Sequence, residues 1–123
     1  MKKMFAALFF TLVMLVTMIP QTHASILPII LAYEKAKDEG TPAPVHEVVE
    51  DAPLPVKDAP PWSSKDRVDD GELVQRRYYD QNGKVELDID YNDHGNPKQH
   101  PKVPHRHDWY WPPVGPPSRG KWY

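Results

Sequence analysis

The sequence predicts a small β-rich or α+β domain: a β-hairpin followed by an ordered His/Pro-rich loop, preceded by a signal peptide and a disordered spacer. Three observations carry this. Two strand-forming runs flank Asn82-Gly83, and Asn-Gly is the strongest short hairpin signal. Asp93 to Asp108 (DHGNPKQHPKVPHRHD) has too much proline and glycine for a long helix, yet gathers four of the six histidines. The amino terminus has the charge and hydropathy pattern of an export signal. Four segments follow from this: 1–24 signal peptide, 25–66 apolar patch and acidic linker, 67–111 the chemistry-bearing module, and 112–123 a Pro/aromatic tail.

Lys2 and Lys3 precede an uncharged apolar run of 16 residues, Met4 to Ile19. Pro20 ends the run, and Thr22-His23-Ala24 places small residues where a signal peptidase reads, so cleavage is expected after Ala24. The competing reading is an uncleaved anchor extended by the apolar stretch Ile26 to Ala32. No cysteine follows the run, which excludes a lipoprotein anchor, a disulfide framework and thiolate metal sites. The expected destination is outside the cytoplasm, in the cell envelope or secreted.

Ser25 to Lys37 (SILPIILAYEKAK) fades from apolar to charged and has nothing local to pack against. Asp38 to Pro61 holds six prolines and an excess of acid, the composition of an extended, solvated linker. His46, alone in that stretch, reads as a solvated side chain.

In the hairpin, Glu72 to Asp80 (ELVQRRYYD) and Lys84 to Asn92 (KVELDIDYN) form the strands. If Asn82 and Gly83 are the two loop residues of a type I′ turn, Asp80 faces Val85, Tyr78 faces Leu87, Arg77 faces Asp88, Gln75 faces Asp90 and Val74 faces Tyr91. Val85, Leu87, Ile89 and Tyr91 then share an apolar face with Val74 and Tyr78, while Glu86, Asp88 and Asp90 point the other way. A lone hairpin is marginal in water, so Val103, Trp109 and Trp111 are the expected cover.

Histidine suits both acid–base catalysis near neutrality and metal ligation. His94, His100, His105 and His107 are therefore the candidate catalytic residues, with Asp93 as an orienting carboxylate and Arg77 as a candidate phosphate contact. His105-x-His107 puts both imidazoles on one side of an extended strand. With Asp90 and His94 they form a candidate set for a divalent metal such as zinc, which would also staple a domain too small to bury a large core. The spacing matches no specific metal signature, having neither H-E-x-x-H nor thiolate pairs. Solvated histidines and surface ion pairs are the plainer alternative.

The run from Arg76 to Trp109 resembles the small carboxy-terminal toxin modules of bacterial polymorphic toxin systems, in particular polymorphic toxin type 24. The elements that carry the resemblance are Asp88-Ile89-Asp90-Tyr91, Asp93-His94-Gly95-Asn96, His100-Pro101 and Pro104-His105-Arg106-His107-Asp108-Trp109. The resemblance implies a nuclease, with nucleic acid as substrate and an immunity protein as partner. Such modules usually end long multidomain toxins, whereas here only a signal and a spacer precede the module. Net charge is −2, and Lys65 to Tyr123 balances acid against base, so no basic stripe marks a nucleic-acid surface. Two functions are carried forward: an exported nuclease acting by histidine acid–base or metal-assisted phosphodiester hydrolysis, and a non-enzymatic exported module that binds a metal or an envelope partner.

Overall fold

The structure is a computed structural model that describes residues 26–92, 98 and 102–123. The expected signal peptide lies outside these residues, as do Asp93, His94 and His100. Two units divide the chain at Leu31: residues 26–31 go with the leading segment, and residues 32–123 hold the remainder of one helix and an entire sheet.

Helix α1 spans Ile26–Glu39. Its sequence is rich in Leu, Ala, Glu and Lys, all good helix formers. It stops at Gly40, whose φ of 76° only glycine adopts cheaply, and the amides of Gly40 and Thr41 both donate to Ala36 O (2.8 and 2.9 Å). The strands are β1 (Val45–Glu50), β2 (Ser63–Asp69), β3 (Glu72–Tyr79), β4 (Val85–Asp90), β5 (His105–Tyr110) and β6 (Ser118–Trp122). They form one mixed, six-stranded sheet in chain order, β1 parallel to β2 and every other pair antiparallel.

The sheet is covered on both faces. On the first, Tyr33 and Ala36 of α1 pack with Ala43, Tyr78, Leu87 and Ile89, and the rings of Tyr33 and Tyr78 meet edge to face at 6.2 Å. Tyr33 OH and Lys37 Nζ both donate to Glu86, and Arg106 reaches the carbonyls of Lys37 and Asp38. On the second face lies the connection between β1 and β2. Parallel neighbours need a crossover of about a dozen residues, usually a helix; here its place is taken by proline-rich chain. Leu54 O and Pro55 O accept from Arg77 and Tyr79, Val56 O from Val85 N, and Ala59 N donates to Gly83 O.

Several expectations change accordingly. The stretch 25–66, expected to be an apolar patch and disordered linker, contributes α1, β1 and the start of β2. Its prolines fall before β1 and within the crossover, where no ladder amide is needed, and several of its charges find partners across the sheet. The tail beyond residue 111 supplies β6, paired with β5. Val103 is exposed at 48% and is not part of the core cluster, whereas Trp109 and Trp111 do reach β4, their indoles donating to Asp88 Oδ2 and Val85 O.

The hairpin pairs Tyr78 with Leu87, Arg77 with Asp88 and Gln75 with Asp90, the register expected. Its turn differs. Gly83 N donates to Asp80 O (3.0 Å), Asp80 N to Lys84 O (2.9 Å), and only Gly83, not Asn82, takes a positive φ. This is a three-residue loop ending in a glycine bulge rather than a type I′ turn, and the pairing slips at Tyr78/Tyr79. The cause is Asp80, whose carboxylate accepts from the amides of Asn82 and Lys84 and holds the chain in that form.

Candidate metal centre

Strands β4 and β5 pair with Asp88 opposite His107 and Asp90 opposite His105. The two-residue side-chain period puts all four on the second face, away from α1. There Asp90, His105 and His107 converge: one ligand atom from each lies within 4.8 Å of the others, and all three residues are buried. His105 Nε2 is 3.3 Å and His107 Nε2 3.4 Å from the same carboxylate oxygen, Asp90 Oδ2. The cluster could hold a metal ion.

The far side of each ring fixes its tautomer. His105 Nδ1 lies 2.9 Å from Lys102 O, and His107 Nδ1 2.8 Å from Gly120 O on β6. A carbonyl only accepts, so each Nδ1 carries the proton, and in the neutral ring Nε2 presents a lone pair. With both rings neutral, their lone pairs would face a carboxylate oxygen that already accepts from Arg119. Such a convergence calls for a cation, and an imidazole oriented through its other nitrogen by a backbone carbonyl is the usual state of a metal-ligating histidine. Burial, opposed by the Gly120 carbonyl and Asp90 and reinforced by Arg119 and His105, holds His107 below the usual histidine range and so favours the neutral, ligating form. His107 Nε2 has no hydrogen-bond partner among the described residues.

Around this trio the charges are arranged in a chain. Arg77 forks onto Asp88 with two bonds (Nε to Oδ1, 2.7 Å; Nη2 to Oδ2, 2.9 Å), and Trp109 Nε1 donates to Oδ2 at 2.8 Å. The guanidinium of Arg119, from β6, donates to Asp90 Oδ2 and lies 3.3 Å from Asp88 Oδ2. Gln75 Nε2 holds the other oxygen of Asp90 at 3.0 Å.

No protein-family model matches the chain, and no curated protein or solved structure matches it.

The structure brings together three of the expected metal ligands, Asp90, His105 and His107; the fourth, His94, lies outside the described residues with His100 and Asp93. Asp88 and Asp90 were expected on an open hairpin face and are instead fully buried, because β5 and β6 extend the sheet past them. Arg77 was a candidate phosphate contact. Its donors are spent on Asp88 and on the carbonyls of Leu54 and Pro55, so its charge is committed to the fold. His46, read as solvated, bridges Ser64 Oγ (2.7 Å) and Asp66 Oδ2 (3.2 Å) between β1 and β2. Arg119, Gly120 and Trp122, whose ring meets that of His105 edge to face at 6.2 Å, were missed altogether. The signal available was weak: Ser118 to Trp122 is a short charged and aromatic run after a Pro-Pro pair.

Proposed function

We propose that this protein is an exported, toxin-like domain built around a divalent-metal centre, the ion held by Asp90, His105 and His107. The convergence of two imidazole lone pairs and a carboxylate oxygen on one buried point carries this reading. Imidazole and carboxylate donors without thiolate suit zinc, and also other first-row divalent ions. In a chain without cysteine the ion would also tie β4 to β5, and through Gly120 to β6. The amino-terminal basic-apolar-small pattern supports export.

The test is metal analysis of protein purified without chelator, with thermal unfolding before and after chelator. About one equivalent of metal is expected in the parent. Asp90→Ala and His107→Ala should bind none, and chelator should no longer shift their melting temperature. Parent protein that takes up no added zinc, manganese or cobalt would sink this reading.

A second reading, metal-assisted phosphodiester hydrolysis, is favoured by two specific features. Among the described residues three ligands are offered, which would leave a coordination position open, the arrangement of catalytic rather than closed structural zinc sites. A cleft of about 240 Å³, walled by Arg67, Asp69, Val74, Gln75 and Asn92, reaches one of the three ligands, Asp90. There the ion would supply Lewis acidity, while the chain's own imidazoles and carboxylates orient it. Cleavage of RNA or DNA by metal-loaded protein, lost in His107→Ala, is the expected result. No cleavage by fully loaded protein would leave a binding module.

A further inference from the structure

Arg119 sits where the ion's charge would be needed. Asp90 Oδ1 is held by Gln75, which leaves Oδ2 as the oxygen turned toward both imidazoles, and this same Oδ2 accepts from Arg119 Nη2. A bound ion would sit about 2.0–2.2 Å from that oxygen. It would then lie within a few ångströms of the guanidinium, and two cations that close repel strongly even at the effective dielectric of a protein surface. Arg119 also differs from its neighbour Arg77 in freedom to leave. Its side chain is 29% exposed against 9%, and Arg77 is fixed by two carbonyls besides Asp88.

We infer that Arg119 is a resident stand-in for the ion, competing with it for Asp90 Oδ2, and that the ion's arrival frees its guanidinium to receive a phosphate-class oxyanion at the open coordination position. This rests on the metal centre proposed above. A planar guanidinium next to a metal ion is matched to a phosphate ester, since it offers paired donors to oxygens whose remaining charge the ion neutralises. The site would thus take its two ligands in order. The ion replaces Arg119 on Asp90, and the oxyanion then bridges ion and arginine.

The experiment is titration of Co2+ into metal-free full-length parent, Arg119→Gln and Arg119→Lys, with and without phenyl phosphate, read by calorimetry and by the cobalt absorption bands. Without the ester, Arg119→Gln is expected to bind Co2+ roughly tenfold more tightly than the parent, within the usual range of coupling between sites. Arg119→Lys should fall between the two, and supplies the comparison if the glutamine variant does not fold by circular dichroism. Phenyl phosphate should tighten Co2+ binding in the parent and leave Arg119→Gln unchanged. A folded Arg119→Gln that binds Co2+ no more tightly than the parent overturns the competition. Equal enhancement by the ester in both proteins overturns the oxyanion role. A parent that binds no Co2+ under any condition fails earlier, at the metal centre itself.

Discussion

Asp90 and Asp88 show how differently two carboxylates on one strand can be used. Asp90 faces two ring nitrogens and a partly exposed arginine, whereas Asp88 is locked by the fork of Arg77 and the indole of Trp109. Removing one partner of a buried pair leaves the other charge uncompensated, at a cost of about 3–5 kcal/mol. Arg77→Ala should therefore lose that much stability in urea unfolding, and a loss below about 1 kcal/mol would mean the pair is not buried in solution. The tyrosines make a second prediction at this scale. Burial raises Tyr33, Tyr78 and Tyr79 above the ordinary tyrosine value. A folded value above the unfolded one gives stability that is fully present below about pH 10 and is lost as pH rises beyond it. Alkaline titration followed by tyrosinate absorbance should show these rings ionising together with unfolding, in one cooperative step; independent ionisation near pH 10 would contradict their burial. Of this residue-level picture, the sequence carried His105, His107, Asp90 and the Arg77–Asp88 pair. It could not carry the burial of the carboxylates, since alternation in a hairpin assigns a face without saying what covers it.

At the level of elements, the strand pairs nearest in sequence were legible and the distant ones were not. β3 and β4 were readable because one loop sets their register; even so, the side chain of Asp80 chose a different turn from the one Asn-Gly suggests. Gly83 remains necessary in either turn. Its φ is 71°, and a Cβ there would lie 2.1 Å from Ala59 O in the crossover. Gly83→Val should cost about 1–3 kcal/mol in backbone strain alone, with the collision adding to it. An unchanged urea midpoint would show that the crossover does not dock on the turn. β1, by contrast, was hidden because proline and acid dominate its neighbourhood, and composition averaged over 38–61 outweighs six residues of strand. The prolines mark the ends of that strand rather than its absence.

For the whole molecule, the spacer's promotion to structure changes where the chain should be vulnerable. Residues 32–123 make one unit, with α1 on one face of the sheet and the 53–61 crossover on the other. Limited proteolysis should leave the segment 42–62 intact in the folded protein. Early cutting between Asp38 and Pro61, with a stable fragment starting near Arg67, would restore the linker reading. Burial from both sides is also what lets so short a chain keep charged residues inside its sheet, because each layer brings carbonyls as well as apolar side chains.

The sheet runs in chain order, so β6 is the last of its strands to be synthesised, yet it carries both Arg119 and the Gly120 carbonyl that orients His107. Its two contributions are therefore the last parts of the centre to be synthesised. While residues 118–122 are still inside a ribosome or a translocation channel, His107 lacks its orienting carbonyl and Asp90 lacks its arginine. A nascent chain can form β1 to β5 and still have no finished site. The strand that brings Arg119 to compete for Asp90 Oδ2 thus arrives only after Asp90, His105 and His107 are all in place in the chain.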